Sequence, residues 1–203
     1  EMTEDKKNDA KTEVNNLDNY YAPLQGMLIA FGTKAHSGKD TAADYLVDNY
    51  NFRKFSFADP IKKASASIFQ WSNHQISSEL KEEVDDFWSI SPREAFQQLG
   101  TQLRRMYGRD LFVRSMYRLL KHYDSPDAKF VISDVRLPHE IDAICHWGGH
   151  AFNIFRSDPV TGMATSGLND PSLASHESEV SLDSYTGWSG HIMNNGTNME
   201  QFI

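Results

Sequence analysis

The stretch MLIAFGTKAHSGKDT, residues 27–41, decides the fold of this 203-residue chain. It begins with a short apolar run, Met27 to Phe31, which ends at Gly32 and is typical of a buried strand in a parallel sheet. A polar loop follows, and from Thr41 to Tyr50 apolar residues recur at helical spacing. In such a strand, loop and helix, converging backbone N–H groups and the helix N-terminus can hold a phosphate group. The stretch therefore predicts a phosphate-binding loop.

The loop matches the pattern G-x-x-x-x-G-K-[ST] incompletely. Thr33 takes the place of the first glycine, with Gly32 one position earlier, and Asp40 takes the place of the metal-binding hydroxyl. Because Gly38 and Lys39 still lie between a strand and a helix, we predict that ATP binds to Thr33, Lys34, Ala35, His36, Ser37, Gly38, Lys39, Asp40 and Thr41. Lys39 would reach the β- and γ-phosphates, and either Asp40 or Thr41 would bind Mg²⁺.

Strands and helices alternate along the rest of the chain. The pattern predicts strands over 52–57, 129–135, 151–155 and 191–194, and helices over 59–71, 91–107, 110–123 and 138–148. Such alternation predicts an α/β fold, in which a mostly parallel sheet lies between two layers of helices. Ligands of such sheets bind outside the carboxyl ends of the strands.

Charged residues lie at two of these carboxyl ends. Asp134 is near the end of the 129–135 strand with Arg136 two residues later, and Arg156 follows the next strand. A carboxylate in this position is suited to a metal ion, so Asp134 is predicted near Mg²⁺. Lys39, Asp134, Arg136 and Arg156 are the predicted catalytic residues, because phosphoryl transfer depends on positioning and on neutralising charge.

Composition argues against several classes of function. The formal net charge of −8 disfavours binding to a nucleic acid polymer or an anionic membrane. No apolar run approaches the roughly 20 residues that span a bilayer. The single cysteine, Cys145, rules out an internal disulfide and suits a reducing compartment, so a cytoplasmic location is expected.

A cationic stretch nevertheless stands out in this acidic chain. It contains six arginines within one helical segment: Arg93, Arg104, Arg105, Arg109, Arg114 and Arg118. A guanidinium group can donate two parallel hydrogen bonds to the oxygens of one phosphate. The segment therefore predicts an acceptor that carries phosphate. Arg93, Arg109 and Arg114 are the favoured ligands, and Arg105 and Arg118 are expected to be solvated.

The length of the chain fits one domain. Residues 1–24 are predicted to be a flexible extension that need not pack, and 25–203 to be the domain. Within it, the acceptor-binding region is expected at about 58–123 and a lid at about 157–184, since long polar loops are often functional. The acidic stretch 77–86 is predicted to be solvated.

Short motifs along residues 27–202 resemble the phage-type deoxynucleoside monophosphate kinases. They are Ser37-Gly38-Lys39-Asp40-Thr41, Ala58-Asp59-Pro60-Ile61-Lys62, Leu99-Gly100-Thr101, Asp134-Val135-Arg136 with His139-Glu140 and Asp142-Ala143, His176 to Glu179, and Asn195-Gly196. The resemblance implies a three-layer P-loop NTPase fold and an ATP- and Mg²⁺-dependent transfer to a deoxynucleoside 5′-monophosphate, with a homodimer as an open alternative. It also implies a host cytosol as the location if the chain is encoded by a phage.

Roles can be carried over by position from this resemblance. Lys39 would hold the donor phosphates, Asp134 would lie near the metal, and Arg93 and Arg136 would face the acceptor or the transferred phosphoryl group. The complete set of candidate substrate-binding residues is Asp59, Lys62, Arg93, Gly100, Arg109, Arg114, Arg136, His176 and Glu179.

Two other functions remain open from the residues alone. One is another small-molecule kinase with the same loop, such as a phosphomevalonate or dephospho-coenzyme A kinase. The other is a nucleotide-binding module without catalytic activity, because the loop departs from the usual pattern at Thr33.

Overall fold

A computed structural model describes residues 21–32, 37–77, 79–156 and 181–194. Some predictions lie outside these residues. They concern 1–20, Thr33 to His36, and the 157–180 part of the lid with His176 and Glu179.

The described chain forms five strands and six α-helices around one sheet. The strands are β1 (Met27–Gly32), β2 (Arg53–Phe55), β3 (Lys129–Val135), β4 (His150–Arg156) and β5 (Gly190–Asn194). The helices are α1 (Lys39–Tyr50), α2 (Asp59–Phe69), α3 (Asn73–Ser77), α4 (Pro92–Tyr107), α5 (Leu111–Tyr123) and α6 (Pro138–His146), with a 3₁₀ helix at Glu79–Glu82. The strand order is β2-β3-β1-β4-β5, and every neighbouring pair is parallel.

The sheet is covered on both faces, as predicted. On one face, Leu28 and Ala30 of β1 and Phe130 and Ile132 of β3 pack in a cluster with apolar residues of α2, α5 and α6. On the other face, a smaller cluster joins the sheet to Ala43 of α1. The central strands β1 and β3 are buried on both sides. This burial explains why their sequences are almost continuously apolar instead of alternating.

Local signals placed the helix ends well. Ser91 Oγ accepts a hydrogen bond of 3.2 Å from the backbone N–H of Glu94 at the start of α4, and Gly108, at φ 101°, ends that helix. Asp59, which precedes Pro60 and is a residue type that favours the N-cap position, is instead the first residue of α2; the cap is Ala58, and its side chain makes no capping bond.

The predicted boundary of the N-terminal extension is wrong at its last residues. Tyr21 is buried, and its ring centroid lies 4.6 Å from that of Tyr117. The backbone N–H of Leu24 donates a hydrogen bond of 2.9 Å to the carbonyl oxygen of Trp147. Residues 21–24 therefore belong to the packed domain, because an aromatic side chain here fills a site built by α5 and α6.

The prediction that 77–86 is solvated is also wrong in part. Leu80, Lys81 and Glu82 are half-buried, and the 3₁₀ helix that contains them packs against α3 and α4. The charge count of this stretch was misleading because its acidic residues find partners in other elements, such as Arg93 of α4.

Candidate functional site

The described end of the phosphate-binding loop lies at the N-terminus of α1. Gly38 caps this helix at φ 102°, a backbone conformation that favours glycine. Ser37 and Lys39 on either side of it are buried, at 1% and 4% exposure. The loop therefore presents a helix N-terminus and a buried lysine together, as a polyphosphate site requires.

One described hydrogen bond holds Ser37 in this loop. Its carbonyl oxygen accepts a hydrogen bond of 3.0 Å from Nδ2 of Asn194, at the carboxyl end of β5. Its buried Oγ has no hydrogen-bond partner among the described residues. Since an unsatisfied buried hydroxyl is costly, Ser37 Oγ is available to a ligand of the loop.

The position of Gly32, one residue before the usual loop glycine, has a packing explanation. A Cβ atom at Gly32 would lie 2.5 Å from Cη2 of Trp188 and 3.0 Å from the carbonyl oxygen of Val135. The indole ring of Trp188 thus occupies the space beside the last residue of β1. Glycine is needed here for close packing, independently of any phosphate.

Asp40 follows Lys39 in the first turn of α1, and its side chain contacts residues of strands β2 and β3. Its Oδ1 lies 3.0 Å from Lys54 Nζ of β2 and accepts a hydrogen bond of 3.1 Å from Ser133 Oγ of β3. Partial desolvation would raise the pKa of this carboxyl, but Lys54, the charge of Lys39 and Ser133 together lower it. Asp40 is therefore ionised, and its side chain is 74% exposed.

Asp134 is held by the segment that joins β2 to α2. Its Oδ2 accepts hydrogen bonds from Ser56 Oγ at 2.6 Å and from the backbone N–H of Ala58 at 2.9 Å. Its Oδ1 accepts a hydrogen bond of 2.7 Å from the backbone N–H of Phe57. The carboxylate thus fixes the start of α2, and with it one side of the predicted acceptor region, to the central strand β3.

Glu140 is a buried residue that belongs to one of the short motifs but for which no role was predicted. Its Oε2 accepts hydrogen bonds from the backbone N–H groups of Arg136 at 2.8 Å and Leu137 at 3.0 Å. Burial, with a smaller effect of Asp134, raises its pKa to about 7, although these hydrogen bonds and Arg104 oppose the rise. Glu140 therefore shapes the backbone turn that carries Arg136 out of β3.

A stripe along one side of α4 includes Gly100, which packs against α2. Its members are spaced by four, three and four residues: Arg93, Gln97, Gly100 and Arg104. A Cβ atom at Gly100 would lie 2.9 Å from Cδ1 of Ile61, so the glycine lets the two helices approach closely. Gln97 Nε2 is buried and has no hydrogen-bond partner in the described part of the chain. Gln97 was missed by sequence reasoning, because a glutamine in a helix carries no distinctive signal.

A cluster of cations lies at the amino end of this stripe. Arg93 binds Glu82 through Nε at 2.8 Å and Nη2 at 2.7 Å, both to the same oxygen, Oε1. Lys81, next to Glu82, has a lowered pKa because of burial and because of the positive charges of Arg93 and Lys62. The negative charge of Glu82 opposes this with an effect between those of Arg93 and Lys62, and the charge of Asp40 opposes it least. We refer to Lys62, Lys81 and Arg93 as the cation cluster.

The other predicted arginines are placed differently. Arg109 and Arg114 are exposed and lie at the far end of α4 from Arg93. Arg114 supports the turn there, since Nη2 donates a hydrogen bond of 2.8 Å to the carbonyl oxygen of Tyr107 and Nε lies 3.2 Å from Asp110. Arg105, Arg118 and Arg156 are exposed as well. The described contacts bring only Arg93 of the favoured acceptor ligands into a cluster of cations.

The remaining predicted residues of the described chain lie at the edge where β1, β2 and β3 end. Thr41, Asp59, Lys62 and Arg136 are half-buried there, on α1, on α2 and just after β3. Ser133 and Lys54, which hold Asp40, were missed because their partners come from other elements.

The oxygen atoms at this edge fit Mg²⁺ to different degrees. Asp40 offers an exposed, ionised carboxylate, which is the kind of ligand that Mg²⁺ prefers. Asp134 already accepts three hydrogen bonds, so it suits contact through a water molecule better than direct coordination. Within the described ranges no group of three or more His, Cys, Asp or Glu residues could hold a metal ion.

Comparison with known proteins gives the following matches. The family model described as deoxynucleotide monophosphate kinase matches residues 27–82. A protein of Acanthamoeba polyphaga mimivirus, named "Putative deoxynucleotide monophosphate kinase", is 36% identical over 182 residues, which cover 82% of this chain and 86% of that protein.

Two solved structures are more distant. TT1252 from Thermus thermophilus is 16% identical, with a TM-score of 0.44, over 85% of this chain and 90% of its own. The dephospho-CoA kinase from Campylobacter jejuni is 14% identical, with a TM-score of 0.41, over 86% of this chain and 91% of its own. Separately, every helix in the described part of the chain is too short or too polar to cross a bilayer.

Proposed function

Because this chain belongs to the deoxynucleotide monophosphate kinase family, we propose that it transfers the γ-phosphoryl group of ATP to a deoxynucleoside 5′-monophosphate. An oxygen of the acceptor phosphate would attack the γ-phosphorus, and the bond to the bridging oxygen would break. The products would be ADP and the deoxynucleoside diphosphate. Such a transfer needs positioned charges more than it needs a covalent nucleophile.

The closeness of the cation cluster to the donor loop supports the proposal independently of family membership. The cation cluster lies within electrostatic range of Asp40 of the donor loop, since the charges of Lys62, Arg93 and Asp40 all act on Lys81. A phosphate group bound by these cations would therefore be near a nucleotide bound by Lys39. Holding two anionic reactants side by side is the main requirement of phosphoryl transfer.

The donor side of the site uses the N-terminus of α1. Lys39 would bind the β- and γ-phosphates, and the backbone N–H groups that follow Gly38 would bind phosphate oxygens. The unsatisfied Oγ of Ser37 is a further donor for this purpose. The roles of Thr33, Lys34, Ala35 and His36 stay predictions.

Mg²⁺ is the proposed companion of ATP, and when bound it would neutralise negative charge on the donor phosphates. Asp40 or Thr41 is its proposed ligand from the protein, and Asp134 would contact it through water. Arg136 would bind the acceptor or the transferred phosphoryl group, held in place by Glu140. Arg156 and the proposed lid at 157–184, with His176 and Glu179, would cover the site and exclude water.

The proposal is tested by measuring turnover of purified protein with ATP and Mg²⁺. The acceptors are the four common deoxynucleoside monophosphates, the ribonucleoside monophosphates, phosphomevalonate and dephospho-coenzyme A. Formation of a deoxynucleoside diphosphate supports the proposal. Turnover with only one of the last two acceptors, or with none, refutes it.

A matched pair of variants tests the role of the loop lysine. Lys39→Met should lower kcat by at least about 100-fold, since it removes a positive charge from the transition state. Lys63→Met removes the same charge from an exposed position on α2 and should leave turnover unchanged. Equal activity of the two variants would contradict the proposed donor site.

A further inference from the structure

Lys81 is a half-buried lysine with no ion pair among the described residues. It lies on the 3₁₀ helix that packs against α3 and α4, and the residue after it, Glu82, is anchored to Arg93. Lysines are rarely buried unless paired, because desolvation of an ammonium group costs free energy. An anion that the described residues do not supply would therefore stabilise Lys81.

Neighbouring positive charges destabilise the charged form of Lys81 further. Lys62 of α2 and Arg93 of α4 both repel Lys81, so three cations from three elements share one region. Glu82 is the nearby counterion, and it is already bound to Arg93. Asp40 acts on Lys81 more weakly and is itself paired with Lys54. The cation cluster thus carries an excess of positive charge.

Arg93 keeps donors free for a second anion. Only its Nε and Nη2 atoms contact Glu82, and both contact the single oxygen Oε1. A guanidinium group has five N–H donors in a rigid plane, so its remaining edge can bind a phosphate without breaking this pair. Glu82 therefore orients Arg93 and does not block it.

We propose that Lys81 binds the 5′-phosphate of the acceptor, together with Arg93 and Lys62, and so positions that phosphate beside the donor loop. This inference rests on the proposed function for the identity of the acceptor. A phosphate monoester carries a charge of about −1.5 to −2 at neutral pH, which matches the excess charge of the cluster. The acidic segment 77–86 thereby contributes a basic residue to the substrate site.

The proposal is tested with Lys81→Met and its matched control Lys63→Met, which lies on α2 and is exposed. Lys81→Met should raise the KM for the deoxynucleoside monophosphate by roughly tenfold or more, because a desolvated charge-assisted contact is lost. The KM for ATP should stay within about twofold, since Lys81 is not part of the donor loop. Lys81→Arg should restore much of the affinity, because the positive charge is retained.

Stability provides a readout that a purely structural lysine would not give. Removing an unpaired, half-buried charge should leave the Tm of Lys81→Met equal to or above that of the wild type. Inorganic phosphate, added without ATP, should raise the Tm of the wild type and of Lys63→Met by more than that of Lys81→Met, in which only the donor loop is left to bind it. If Lys81→Met does not fold, Lys81→Gln is measured in its place, because it keeps a polar side chain.

The outcomes separate this inference from the proposed function. If the wild type phosphorylates a deoxynucleoside monophosphate but Lys81→Met matches Lys63→Met in acceptor KM, the Lys81 site is refuted and the function stands. If no deoxynucleoside monophosphate is turned over but Lys81→Met alone loses stabilisation by phosphate, the function is refuted and the phosphate site stands. A lower Tm of Lys81→Met without any change in phosphate stabilisation would also overturn the inference.

Discussion

Ser56 and Asp134 are 78 residues apart in the chain, yet Ser56 Oγ donates a hydrogen bond of 2.6 Å to Asp134 Oδ2. This contact joins the segment after β2 to the carboxyl end of β3. With the backbone N–H groups of Phe57 and Ala58, which bind the same carboxylate, it sets where α2 begins. The position of α2 relative to the donor loop therefore depends on Asp134.

Asp134→Ala should destabilise the fold and reduce activity together. It removes three hydrogen bonds to a charged acceptor, so the free energy of unfolding should fall by about 2–4 kcal/mol, measured by urea denaturation. Asp127→Ala, at an exposed position in the loop before β3, should change it by less than about 0.5 kcal/mol. Equal stability of the two variants would show that the contacts of Asp134 contribute little.

Gly32→Ala should strain the end of β1 where the donor loop begins. The new methyl group would lie 2.5 Å from Trp188, so unfolding free energy should fall by about 1–3 kcal/mol and the KM for ATP should rise. Combining the change with Trp188→Leu should recover only part of the loss, because the carbonyl oxygen of Val135 remains 3.0 Å away. Strict additivity in this double-mutant cycle would contradict a direct clash.

Asn194→Ala should weaken ATP binding through the donor loop. It removes the hydrogen bond of 3.0 Å to the carbonyl oxygen of Ser37, a loss of about 1 kcal/mol that corresponds to roughly fivefold in the Kd for ATP. Asn49→Ala serves as the control, because Asn49 makes an amide-to-carbonyl bond of the same length to Tyr45 on exposed α1. Calorimetry on both variants checks the difference, and a Kd for ATP of Asn194→Ala equal to that of the control would reject this role.

Glu140 should make stability decrease as pH rises. Its pKa is raised from 4.5 to about 7 in the folded protein, so between these pH values the folded state binds a proton that the unfolded state releases. The stabilisation is complete below pH 4.5 and is lost as pH rises through about 7, with a total of about 3 kcal/mol.

Glu140→Gln isolates this effect, because the amide does not titrate. The difference in unfolding free energy between wild type and Glu140→Gln should shift against the wild type as pH increases over that window. Urea denaturation at a series of pH values gives this difference. A difference that is constant with pH would mean that the pKa of Glu140 is not raised.

Much of the fold was predictable because its signals are local. The apolar runs of β1 and β3, the capping box at Ser91 and the glycine after α4 depend only on residues near them in sequence. The order of strands and helices followed from these signals. The roles of residues in the candidate site were harder to predict, since a side chain such as Gln97 or Lys54 gains its meaning from its neighbours in space.

By itself, the sequence determined the strand, loop and helix around Lys39 and the parallel α/β class, since backbone preferences and apolar periodicity act over a few residues. Only the tertiary structure decided that Asp134 holds the start of α2, that Glu140 is buried, that Tyr21 belongs to the core and that Lys81 joins Lys62 and Arg93. Burial and electrostatic fields are sums over elements distant in the chain, and no local pattern encodes such sums.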